Sequence, residues 1–160
     1  MKLALAVAAL LPMAVAAPAH AAPDPKTVTQ ISVLTADAAI RAGQAAMAEA
    51  VKQKQRVTVA IVDRSGATRL ILKGDGAGPQ TEESAKRKAY TAVAFGQPTS
   101  KLSSNQSLAS IPDVLLLAGG VPVASGGSPI AGIGVGGAPS GDIDESIANA
   151  GLNAIKDQLD

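Results

Sequence analysis

Gly132, Gly134 and Gly137 stand in the spacing G-x-G-x-x-G inside the stretch GGSPIAGIGVGGAPSGDIDESI, residues 126–147. With that spacing, a strand, a tight turn and a helix N-terminus can cradle the pyrophosphate of a dinucleotide. Other chemistries are narrowed by what the chain lacks. It holds no Cys, and its one His is His20.

His20 falls inside Ala19-His20-Ala21, a small-x-small cleavage signature. It follows a positive Lys2 and an apolar run from Leu3 to Leu11, the pattern of an export signal. Pro12 interrupts the run, which is shorter than the roughly 20 residues a membrane span needs. The expectation is a signal peptide over 1–21, cleavage after Ala21, no stable membrane insertion, and a periplasmic or secreted protein. Removing 1–21 takes Lys2 and no acid, so the formal charge falls from +1 to zero. Nothing then favours nucleic acid, which calls for a basic surface. The mature chain also loses its only His and keeps Met47 as its only Met. Zinc sites built on His or Cys, a Ser-His-Asp triad, a thiol nucleophile and a disulfide framework are all excluded.

The elements that must position any site follow from periodicity. Pro23 and Pro25 mark residues 22–30 as a flexible leader, and one domain is expected over 31–160. Thr35 is a plausible N-cap for a helix reaching about Gln55, with Ile40, Met47 and Val51 on its apolar stripe. VTVAIVD (57–63), the turn RSGA and TRLILK (68–73) read as a β-hairpin. TEESAKRKAYTAVAF (81–95) reads as a helix with Glu82 and Glu83 in its first turn, ended by Gly96. DVLLLAGG and VPVA are expected as a third and fourth strand, with Gly119 and Gly120 between them. Asp142 to Leu159 is expected as a closing helix capped by Asp142, with Ile143, Ile147 and Ala150 on one face.

This order answers the question raised by the glycines. Ile133 and Val135 alternate with Gly132, Gly134 and Gly136, which is the period of a strand with one bare face. No further strand follows the closing helix to complete a nucleotide crevice, so a dinucleotide is not expected. A bare strand face means that a helix packs unusually close, or that a flat ligand or a neighbouring subunit lies on it.

KAYTAVAFGQPTSKL (88–102), LAGGVPV (117–123), GIGVGGA (132–138) and DIDESIANAG (142–151) together resemble the GlcG/HbpS-like family, to which the C-terminal domain of PduO-type proteins is related. The resemblance runs from about Ile31 onward. It implies a single α/β (α+β) domain of profilin-like architecture, an antiparallel sheet flanked by helices. It also implies assembly into homo-oligomers, octamers in some members, and binding of haem or a related tetrapyrrole, with haem breakdown and iron release in secreted members.

Haem iron is usually held by His, Cys, Met or Tyr. Met47 belongs to the apolar stripe, which leaves Tyr90 as the candidate metal ligand. Lys86, Arg87 and Lys88 form a basic cluster beside it, and Lys86 or Lys88 could pair a propionate. Phe95, Thr99, Gly119, Gly120, Gly132 and Gly134 complete the candidate cofactor-binding set, with the macrocycle along the glycine strand and Thr99 as the alternative hydroxyl ligand. A non-catalytic accessory protein that binds another subunit or a small organic ligand is the competing reading. A hydrolase lacks a nucleophile–base pair.

Overall fold

The computed structural model describes residues 27–159, and everything from Ile31 onward in it belongs to one compact unit. The expected signal peptide and most of the leader lie outside the described residues. Among the described residues no helix is long and apolar enough to cross a membrane.

Four strands form one antiparallel sheet: β1 (Thr58–Asp63), β2 (Thr68–Lys73), β3 (Gly120–Ser125) and β4 (Ser128–Gly136), in the order β2-β1-β4-β3. The hairpin and the glycine strand appear where the pattern places them. The expected strand over DVLLLAGG does not form. Its backbone is held by α2 (Gln80–Phe95) instead: Arg87 donates to the Val114 carbonyl at 2.7 Å, and the Leu115 N–H donates to Thr91 Oγ1 at 2.9 Å. Side chains satisfy the polar groups that a ladder would have used.

Helix α1 (Ala36–Lys52) starts at Thr35, whose hydroxyl accepts the Ala38 N–H at 3.2 Å. The buried face of α1 is not the expected stripe. Ala39, Ala42, Gly43, Ala46 and Ala50 face inward, while Ile40 and Val51 are exposed and Met47 packs at the margin of the core. Helix α3 (Gly141–Asn153) is shorter than expected and is capped by Ser140 rather than Asp142, with a 3₁₀ turn at Lys156–Gln158 after it. Ile147 is fully buried on α3, as the pattern requires.

The sheet is a middle layer. Val59, Ile61, Ala131, Ile133 and Val135 point to the face covered by α1 and α3 and form the main core with Ile147 and Ile155. The opposite face meets α2. There the register aligns Ala60, Gly134 and Gly120 across three strands, with Val62 and Pro122 flanking Gly132. A Cβ on Gly132 would strike the Ala89 carbonyl, and one on Gly134 would strike the Ala85 carbonyl and the Ala89 N–H. The bare face is therefore filled by a helix whose backbone lies against the strand, and α2 meets it with Ala85, Ala89 and Ala92, all fully buried.

The hairpin turn is built on Asp63. One carboxylate oxygen accepts Ser65 Oγ at 2.6 Å, the Ser65 N–H at 2.9 Å and the Ala67 N–H at 3.1 Å. These bonds, the Ser65 hydroxyl foremost, hold its pKa below the usual value. A depressed carboxyl contributes stability above its unfolded pKa, and that contribution is lost as pH falls through the folded pKa. Asp63→Asn is expected to cost on the order of 1 kcal/mol near neutrality and progressively less as acid removes the wild-type advantage. Urea unfolding across a pH series checks this, and a cost that does not vary with pH would contradict it.

Candidate functional site

Helix α2 carries Lys86, Lys88, Tyr90 and Phe95 of the residues that the sequence singles out, and the structure distributes them over opposite flanks. Lys86 and Tyr90, one turn apart, share one flank. They line a groove of about 190 Å³ together with Val62, Gly66, Thr68, Glu83, Arg87 and Asp113. The turn residue Gly66 approaches the Tyr90 ring closely enough that a Cβ there would lie 3.3 Å from Cε2. Lys86 is half-buried and pairs with Glu83 at 2.9 Å, one turn back on the same helix. That contact raises the lysine pKa, so Lys86 is a firmly charged cation beside the phenol.

Lys88 is elsewhere, and this corrects its expected place in an exposed basic cluster. It is buried on the opposite flank, and its Nζ donates to Asp144 Oδ2 at 2.7 Å, with both side chains 4% exposed. Asp144 Oδ1 accepts the Ala138 N–H at 3.0 Å. Burial pushes the Asp144 carboxyl up, against the pull of Lys88 and of the Ala138 and Gly137 amides. Gly119 makes room for the pair. Its φ of 125° is one that side-chain-bearing residues rarely adopt, and a Cβ there would sit 2.7 Å from the Asp144 Cβ and 2.8 Å from Lys88 Nζ.

Thr99 is fully buried, and its Oγ1 accepts the Gly120 N–H at 2.9 Å, tying the segment after α2 to the start of β3. A Cβ on Gly120 would strike the Lys88 carbonyl. Gly132 and Gly134 lie under α2, so a macrocycle has no room along the glycine strand. Phe95 is half-buried at the last turn of α2, two turns beyond Lys88 on the side away from Tyr90. The expected set therefore resolves into a groove with Lys86 and Tyr90, a buried centre with Lys88, Gly119, Gly120 and Thr99, and a packing seam with Gly132 and Gly134.

Asp144 was missed by the sequence reading. The available signal was an acid in the first turn of the expected closing helix, three and four residues before the apolar Ile147 and Ala148. Among the described residues no three His, Cys, Asp or Glu side chains converge as metal donors.

A three-layer α/β/α domain with an antiparallel β2-β1-β4-β3 sheet, a helix seated on strand glycines and a buried Lys–Asp pair defines the class structurally. The model of the family described as "Haem degrading protein HbpS-like" matches residues 34–153, and the chain belongs to that family. Similar solved structures include HbpS, at 50% identity over 84% of this chain and 99% of that one, with a TM-score of 0.80. A double mutant of Streptomyces reticuli HbpS is similar at 49% identity over 88% and 98%, with a TM-score of 0.79. A structure described as a PduOC:Heme complex matches at 28% identity over 78% and 96%, with a TM-score of 0.71. No curated protein matches this chain.

Proposed function

We propose that the protein binds haem or a related tetrapyrrole at the groove shared by Lys86 and Tyr90. The observation that carries this reading is the juxtaposition of a phenol and a fixed cation on one helix flank, beside a turn that leaves the ring accessible. The family description and the haem-bound PduOC relative support it.

The groove fits the group in kind. Tyr90 Oη is a ferric ligand once deprotonated, and Lys86 exchanges its exposed partner Glu83 for a propionate at little cost, since surface ion pairs are worth about 0–1 kcal/mol. Haem, when bound, supplies the ferric centre and the conjugated ring on which oxidative breakdown and iron release act. At about 190 Å³ the groove takes an edge of a macrocycle rather than its whole face. A second copy of the chain completes the enclosure, in keeping with a homo-oligomer. Export through the 1–21 signal would place this binding in the periplasm or outside the cell.

Hemin titration of the mature protein, with a bile pigment and a corrinoid as competitors, tests the reading. Tyr90→Phe is expected to alter the ferric spectrum with a small change in affinity. Lys86→Ala is expected to weaken binding by up to about fivefold with the spectrum retained, the size of an exposed ion pair. A titration without saturable spectral change would overturn the proposal.

A further inference from the structure

On the flank of α2 away from Tyr90, Gln80, Ser84 and Lys88 follow one another at four-residue intervals, a spacing that sets them in a row along the helix. They form one wall of a cavity of about 420 Å³, within the range of small-molecule sites. Ser140 and Gly141, where α3 begins, form the facing wall.

The hydrogen-bond demand of the two buried charges is unequal. Asp144 accepts from three donors, Lys88 Nζ, Ala138 N–H and Gly137 N–H. Lys88 has one partner among the described residues, Asp144, although an ammonium carries three donors. A buried donor left without an acceptor is costly, and native structures rarely leave one so. The space that Lys88 lines is the cavity. Nearby, Ser140 takes the Ile143 and Asp144 N–H groups of α3, which leaves those of Gly141 and Asp142 without an acceptor among the described residues.

The geometry points to a binding site for a small carboxylate, whose two oxygens accept from the free Lys88 donors and from the Gly141 and Asp142 N–H groups at the start of α3, with Ser84 at its side. A monoanion suits this place better than phosphate. Lys88 and Asp144 already neutralise each other, and Asp142 lies on the cavity rim, so a dianion would meet two acids with no cation to spare. A free organic acid and a haem propionate both supply such a carboxylate, and the two are separable.

Calorimetric titration of the full mature protein with pyruvate, acetate and inorganic phosphate tests the site. Pyruvate is expected to bind saturably and more tightly than phosphate. Ser84→Ala, which leaves the ion pair in place, should weaken pyruvate severalfold. The Lys88→Met/Asp144→Leu double variant, which exchanges the pair for apolar groups, should weaken it at least tenfold. Pyruvate binding that persists after saturation with hemin assigns the carboxylate to a free acid, and binding that hemin abolishes assigns it to a propionate. Both results support the site. Absence of saturable pyruvate and acetate binding, phosphate binding more tightly than pyruvate, or pyruvate affinity unchanged in the folded double variant would each overturn it. The hemin spectrum reports the Tyr90 groove separately, so failure of either site leaves the other readable.

Discussion

Lys88→Met will lose about 3–5 kcal/mol of stability at neutral pH, the usual consequence of stranding a buried charge. That is a large share of the roughly 5–15 kcal/mol by which a domain is stable. The loss arises from what remains: Asp144, 4% exposed, would keep two amide donors and lose its cation. Burial already raises its pKa, and removing Lys88 raises it further. A carboxyl with a raised folded pKa contributes most below its unfolded pKa and loses that contribution as pH rises through the folded value. The variant should therefore recover much of its deficit in mild acid. The Lys88→Met/Asp144→Leu double variant should regain most of the stability at every pH, since well-packed apolar replacements of buried pairs are often neutral or stabilising. Urea unfolding of the three proteins near pH 4 and pH 7 measures this, and a single-variant deficit equal at both values would refute the account.

Gly134→Ala is the second large effect. One methyl group placed against the Ala85 carbonyl and the Ala89 amide must push α2 off the sheet, because helix backbone cannot rotate aside as a side chain can. Overpacking costs about 1–3 kcal/mol in ordinary cores, and this site should reach the upper end. Gly43→Ala supplies the contrast. Its Cβ would meet only the tips of Leu70 and Leu72, which can change rotamer. A drop in urea midpoint for Gly134→Ala well beyond that for Gly43→Ala is expected, and equal drops would show that the helix is free to shift.

These two sites also mark where the sequence could and could not be read. The alternation of Gly132, Gly134 and Gly136 with Ile133 and Val135 is a local signal, and it located β4 correctly. What covers the bare face is not local. Ala85, Ala89 and Ala92 look unremarkable until they are set against those glycines, just as the alanines of α1 displaced Ile40 and Val51 from the buried face. The run Val114–Leu117 looked like a strand because apolar residues alone do not say whether a ladder partner exists. Arg87 and Thr91 supplied the hydrogen bonds instead. The pairing of Lys88 with Asp144 spans 56 positions, and a lysine that follows two charged residues on a helix carries no local mark of burial. Lys86 and Tyr90, four apart on one helix, share a side, which grouping Lys86 with Arg87 and Lys88 as one basic cluster did not separate.

The groove beside α2 carries its own optical label. Tyr90 is the only tyrosine in the chain, and there is no tryptophan, so ultraviolet emission excited in the tyrosine band originates at a single ring. That ring lines the groove and touches the hairpin turn at Gly66. Its quantum yield, lifetime and anisotropy therefore refer to one address in the fold, and an absorbing pigment within transfer distance would quench it without any dye attached.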